Sequence, residues 1–305
     1  MVATASGEVL ASYSWPSADA IDVSEFGSDG PLIAVGLLPH ANEPLGSAFA
    51  ATVPLAGAPG RIALVGPIDP PPPEHRFALP TDPVGYVAGG YLQPLPEQAE
   101  FAHCANPRTP AQHRAAELRS RLAELRPDAV LLLHNDVGAA APYLYANRSW
   151  PGASHRLRTD LAGAFARWPT LAATWTTTLD DHTYAYFPAE RIGVDGTECA
   201  GLYIERELGI PTLTVELPMF GWGTADHTRV TVAEAVGNWI ARGAAHGGDT
   251  DRLVCEVLAA VGTRQVPMVS AAISARVVWA VLAGLREDLS ARHPRGRRLV
   301  AARPS

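Results

Sequence analysis

Three short phrases hold side chains that could do chemistry together. His40-Ala41-Asn42-Glu43 follows the apolar run 31–38 (PLIAVGLL), so an imidazole and a carboxylate stand just past what reads as a strand buried on both faces. His134 closes a second such run, 128–134 (DAVLLLH), and Glu216 lies near the end of a third, 211–217 (PTLTVEL). Neutral imidazole and carboxylate are donors that suit Zn²⁺, and three protein ligands leave the fourth tetrahedral position for a reactive water. Ligands of open α/β sheets bind at the carboxyl ends of strands, so two strand ends that each present metal-competent side chains have the geometry a shared cation needs. A carboxylate in an otherwise apolar strand is costly to bury unless it is paired or used. Glu216 is therefore read either as the partner of an arginine or as a general base that activates water.

The elements that must position these groups are legible in outline. Residues 44–52 fit a helix and 61–68 (RIALVGPI) another buried strand, and the proline-rich stretch 68–85 predicts an irregular segment near a site. Thr109 is a good N-cap, Pro110 suits the first helical position, and Ala115, Leu118, Leu122 and Leu125 form one apolar stripe. Arg114, Arg119, Arg121 and Arg126 fall mostly off that stripe, on a solvated face, and Pro127 ends the helix. A helix over 198–208 runs through Gly209 into the strand with Glu216. Helical patterns follow near 231–244, 250–261 and 268–290, and the arginine-rich tail 292–305 reads as a frayed end. The expected organisation is one domain over 1–305, with a core of about 25–245, C-terminal helices over 246–290 and a tail from 291.

Composition narrows the function classes. The 305 residues are 47% hydrophobic, which suffices for a large core, and a net charge of -7 speaks against a nucleic-acid binder with its basic stripe. Three scattered cysteines without a CxxC pair make no disulfide framework, and the N-terminus lacks the charged start and apolar run of a signal peptide, so a cytoplasmic protein is expected. The apolar stretch 266–285 contains Arg276 and small polar residues and reads as a buried helix, not a membrane span. There is no GxSxG elbow, P-loop or GxGxxG after a strand.

The order HxxE, then His, then Glu resembles the zinc carboxypeptidases of peptidase family M14. The matching phrases are LPHANEPLG, RPDAVLLLHNDVG and GIPTLTVELP, with PLPEQAEF, the helix from Pro110 and HNDVGAAAPYLY between them, so the likeness covers roughly residues 30–220. The resemblance implies a three-layer α/β/α fold with a mixed twisted sheet and a helical C-terminal segment. It implies one Zn²⁺ per chain on His40, Glu43 and His134, with Glu216 as catalytic base and then acid. The substrate would be a small peptide cut next to its free carboxylate.

The family's substrate-gripping arginines have no plain counterpart. Outside the helix, the arginines between Glu43 and His134 are Arg61, Arg76 and Arg108, and none sits in an Asn-Arg dipeptide. Arg76 is the candidate helper for the developing oxyanion. Arg108, in Asn106-Pro107-Arg108, and the Asn147-Arg148 pair are candidates for binding the substrate carboxylate, and Tyr186 is a candidate cover for the site, although TYAYF (183–187) also alternates like a strand. The related aspartoacylase and succinylglutamate desuccinylase group uses the same ligand order to deacylate N-acyl amino acids, and the compact segment between Glu43 and His134 suits it. A non-catalytic binding protein on the same fold is the third reading. Oligomeric state is open.

Overall fold

The computed structural model describes residues 2–3, 9–10, 19–43, 45–53, 60–71, 82–89, 91–146, 178–180, 183–185, 196–223, 226–246 and 250–292. In chain order the strands are β1 (Val2–Ala3), β2 (Val9–Leu10), β3 (Asp22–Phe26), β4 (Leu32–Gly36), β5 (Arg61–Gly66), β6 (Ala129–Asp136), β7 (Tyr143–Ala146), β8 (Thr178–Asp180), β9 (Thr183–Ala185) and β10 (Thr212–Pro218). The helices are α1 (Leu45–Ala50), α2 (Pro83–Gly89), α3 (Pro110–Leu125), α4 (Ala200–Leu208), α5 (Thr228–His246), α6 (Thr250–Val261) and α7 (Ala271–Arg292), with 3-10 turns at Leu95–Glu97 and Ala99–Phe101.

β1 and β2 pair with each other, and the other strands form one eight-stranded sheet in the order β3-β5-β4-β6-β10-β7-β9-β8. Its centre, β5-β4-β6-β10, is parallel, whereas β3 on β5 and β7 on β10 run antiparallel, so the sheet is mixed. The central strands are apolar on both faces because both are covered. Odd positions such as Val35, Leu131, Leu133, Val215 and Leu217 pack with Phe49 of α1 and with Val278, Val281, Leu285 and Leu289 of α7. Even positions such as Ala34, Val130 and Leu132 pack with Leu118 and Leu122 of α3 and Ala200 and Ile204 of α4. This is the expected α/β/α layering, and the apolar C-terminal helix serves the sheet. No described helix is long and apolar enough to cross a membrane.

Local signals set several boundaries where the sequence placed them. The Thr109 side chain accepts the Gln112 N–H at 3.3 Å, and Gln112 Oε1 accepts the Thr109 N–H at 3.2 Å, a reciprocal cap at the start of α3. Gly209 ends α4 in the left-handed conformation, at φ 66°. Two expectations need correcting. The segment 68–85 is not irregular to its end, because Pro83 opens α2, a position where its missing N–H leaves no bond unmade. Arg114 and Arg119 are not on a solvated face: Arg114 reaches the carbonyls of Ile68 and Pro67 (2.8 and 2.6 Å), and Arg119 reaches the Cys104 carbonyl and the Tyr203 hydroxyl (3.1 and 2.9 Å). Their stems lie along the helix while their heads satisfy buried backbone carbonyls. The tail beyond residue 292 lies outside the described residues.

Candidate metal centre

The segment after β4 is folded tightly by backbone bonds. Leu37 N–H donates to Val65, and Ile68 and Asp69 N–H donate back to Leu37 and Leu38, which ties the chain leaving β4 to the chain leaving β5. Leu38 has a φ of 53°, a left-handed conformation that is rare and strained for a residue other than glycine. That turn delivers His40, whose carbonyl accepts the Glu43 N–H at 3.1 Å, so His40 and Glu43 come round to the same side. β6 runs parallel to β4 and brings in His134 on its even-numbered face.

Asn135 joins the two strand ends. Its Oδ1 accepts the Leu45 N–H at the start of α1 (3.0 Å), its Nδ2 donates to the His134 carbonyl (2.9 Å), and its backbone N–H donates to Glu43. Nothing in the sequence marked this residue beyond its place in LLLHND. Only the tertiary fold shows that one amide side chain clamps both halves of the site.

The ligand-capable atoms of His40, Glu43 and His134 lie within 4.8 Å of one another. The three residues are 9%, 7% and 5% exposed, which removes water as a ready partner for their polar atoms. His134 Nδ1 is 3.2 Å from Glu43 Oε2, and the His40 and His134 rings meet edge to face at 4.9 Å. Phe101 stacks on His40 at 5.5 Å and walls one side. His40 Nδ1, Glu43 Oε2 and His134 Nε2 take part in no hydrogen bond, although each is buried. Buried polar atoms are rarely left so, and several of them in one small region call for missing partners.

Burial dominates the electrostatics. It lowers the pKa of His40 well below its ordinary value, with His134 adding to the effect, and lowers that of His134 to about 3, so both rings are neutral donors. Burial raises Glu43, opposed by the Asn135 N–H and reinforced by Asp136. Glu216 in β10 stands in register with His134 on one side and Tyr143 on the other. Its carboxyl is raised by burial first, then by the charges of Glu43, Asp136 and Glu100. Asp136 accepts the Tyr143 hydroxyl at 2.7 Å and the Gly138 N–H at 2.7 Å. So many carboxyls close together repel one another, and a cation among them would relieve that repulsion.

Glu100 is the other residue that sequence reasoning missed. It is 4% exposed in the 3-10 turn Ala99–Phe101, the Ala200 N–H at the start of α4 bonds to it, and its Oε2 has no partner. The phrase PLPEQAEF holds it, but a glutamate beside a proline-rich stretch reads as a surface residue.

No family model and no curated protein matches the sequence. Among solved structures, the chain is similar to a metallo-carboxypeptidase from Burkholderia cenocepacia, with 14% identity and a TM-score of 0.45 over 88% of this chain and 61% of that one. It is also similar to a metallo-carboxypeptidase from Pseudomonas aeruginosa in complex with (2-guanidinoethylmercapto)succinic acid, with 13% identity and a TM-score of 0.46 over 88% and 61%. An aspartoacylase family protein from Mesorhizobium loti aligns at 18% identity and a TM-score of 0.36 over 71% and 67%. Function is read from the cluster itself.

The remaining candidates divide in two. Arg108 is exposed just before α3, its N–H bonded to Gln112 Oε1 at 2.7 Å. Arg76, Asn147, Arg148 and Tyr186 lie outside the described residues. Tyr184, in β9, pairs in register with Tyr145, in keeping with the strand reading of TYAYF.

Proposed function

We propose that this chain is a zinc-dependent hydrolase that cleaves an amide bond near a free carboxylate, with His40, Glu43 and His134 holding one Zn²⁺ and Glu216 as general base. The observation that carries the reading is the convergence of two neutral imidazoles and a carboxylate, buried and with unpartnered atoms, within 4.8 Å. Two nitrogens and one oxygen at that separation fit a tetrahedral zinc with one position left over. Zinc, when bound, supplies Lewis-acid polarisation of the scissile carbonyl and acidifies water.

The chain's own groups do the rest. Glu216 takes a proton from the attacking water and delivers it to the leaving nitrogen, so that amide and water become carboxylate and amine. A carboxyl whose proton affinity is raised by burial and by neighbouring carboxylates is better matched to proton transfer near neutral pH than an exposed one. Phe101, stacked on His40, limits water on that side. Arg76 is assigned to the developing oxyanion. Arg108, Asn147 and Arg148 are assigned to the substrate carboxylate and Tyr186 to covering it. The substrate is a small peptide or an N-acyl amino acid. The alternative, deacylation of N-acyl amino acids, is favoured by the compact segment between Glu43 and His134.

Zinc-loaded protein is to be assayed against a C-terminal dipeptide panel and an N-acyl amino acid panel, beside Glu216→Gln. Turnover on one panel, lost by about 10²–10⁴-fold in the variant with zinc content unchanged, is the expected result. Stoichiometric zinc with no hydrolysis of either panel would leave a binding protein on this fold. Full activity in Glu216→Gln would remove Glu216 from the mechanism.

A further inference from the structure

Glu100 faces the side of His134 that the metal reading does not use. His134 directs Nδ1 toward Glu43 Oε2, 3.2 Å away, which puts that nitrogen on the side of the other two cluster residues. The ring's other nitrogen, Nε2, is buried and has no hydrogen-bond partner. Glu100 Oε2 is buried and without a partner too, and the two atoms lie 4.0 Å apart. A buried donor site and a buried acceptor, each lacking any other partner, stand opposite each other just beyond bonding range.

The chemistry of a ligating imidazole explains the pairing. A neutral ring that gives its Nδ1 lone pair to a cation must carry its proton on Nε2, and that proton then needs an acceptor. A carboxylate in that role fixes the tautomer, holds the ring plane and makes the ligating nitrogen more basic. Glu100 is well placed to be rigid. It sits in the Ala99–Phe101 turn, next to Phe101 on His40, and the first N–H of α4 bonds to it.

Resting on the zinc reading above, we propose that Glu100 is a positioning residue that accepts the Nε2–H of His134 and so orients it as a metal ligand. Closing the present gap to the roughly 2.8 Å of a charge-assisted bond takes a movement of about 1 Å. Glu100 acts through His134 and touches neither substrate nor the reacting atoms.

The test compares wild type, Glu100→Ala and Glu100→Gln, each purified metal-free and titrated with zinc against a chelator, with circular dichroism and melting temperature recorded beforehand. Wild type is the control for the reading beneath: if it binds no zinc, the metal site is wrong and Glu100 is not the reason. With wild type binding, Glu100→Ala is expected to lose about 10–100-fold in zinc affinity. Glu100→Gln, which keeps an acceptor oxygen but not the charge, is expected to fall between the two. The zinc form of wild type should also show a downfield His134 ring N–H in proton NMR that Glu100→Ala lacks. Substitution by cobalt(II) separates a positioning role from direct ligation: the visible band should keep its four-coordinate intensity in both variants. Unchanged affinity and an unchanged ring N–H in a folded Glu100→Ala would overturn the proposal. So would a change of coordination in the cobalt spectrum, which would make Glu100 a ligand. If the alanine variant fails to fold, the glutamine variant carries the same readouts.

Discussion

Emptying or filling the cluster should move the melting temperature by an amount that can be worked out in advance. Zinc that binds only the folded chain stabilises it by about 2.7 kcal/mol when free zinc is 100 times its dissociation constant. Unfolding entropy near 60 °C is about 2.1 cal/mol/K per residue, so 305 residues give roughly 0.64 kcal/mol/K. The quotient is a rise of about 4 °C between chelator-treated and zinc-loaded protein. The sign is set by the geometry: in the metal-free protein, Glu43 Oε2 and His40 Nδ1 are buried without partners, and Glu43, Glu100 and Glu216 repel one another. A cation removes both penalties. Differential scanning calorimetry across a buffered zinc series, with His134→Ala in parallel, is the assay. The variant keeps two ligands of three, and its shift should fall below about 1 °C over the same range. An unchanged melting temperature in wild type, or an equal rise in His134→Ala, refutes the ligand assignment.

Three further outcomes follow from particular contacts. Asn135→Ala removes the bonds to Leu45 and His134 while leaving both backbone groups buried, so urea unfolding should show a loss of about 1–3 kcal/mol together with weaker zinc binding; a stable variant with full zinc affinity would show that the clamp is dispensable. A methyl on Gly138 would stand 2.5 Å from the Ala233 Cβ and 3.0 Å from the Arg229 carbonyl, so Gly138→Ala should cost about 1–3 kcal/mol by pushing α5 from the loop after β6, measured as a fall in the urea midpoint at constant slope. Burial raises Asp69 from 3.8 to about 6, against the Ala99 and Gln93 bonds and Arg114, with Glu97 adding to the rise. A raised folded pKa means its contribution is fully present below 3.8 and lost as pH rises through about 6. Relative to Asp69→Asn, metal-free wild type should therefore lose up to about 3 kcal/mol between pH 4 and 7, and parallel curves would contradict the assignment.

How much of this was legible beforehand depends on the range of the interactions involved. The buried strands, the Thr109 cap with Pro110 and the Gly209 stop are local: each is decided by residues within a few positions, and the structure reproduces them. The order His40, Glu43, His134 and Glu216 was visible for the same reason, since each follows or ends an apolar run. The helix at Pro83 was hidden by the prolines before it, because proline is compatible with both an irregular segment and a first helical turn. The buried heads of Arg114 and Arg119 were hidden because helical spacing places only the start of a long side chain.

By itself the sequence determined which segments become strands and helices, and which polar residues stand at strand ends, because periodicity and end signals act along the chain. Only the tertiary structure decided that β4 and β6 are neighbours, that the even face of β6 aligns His134 with Glu216, and that Glu100 and Asn135 reach the same cluster. Those facts depend on strand order, register and the turn at Leu38, which arise from packing both faces of the sheet at once and leave no mark in the spacing of any one segment.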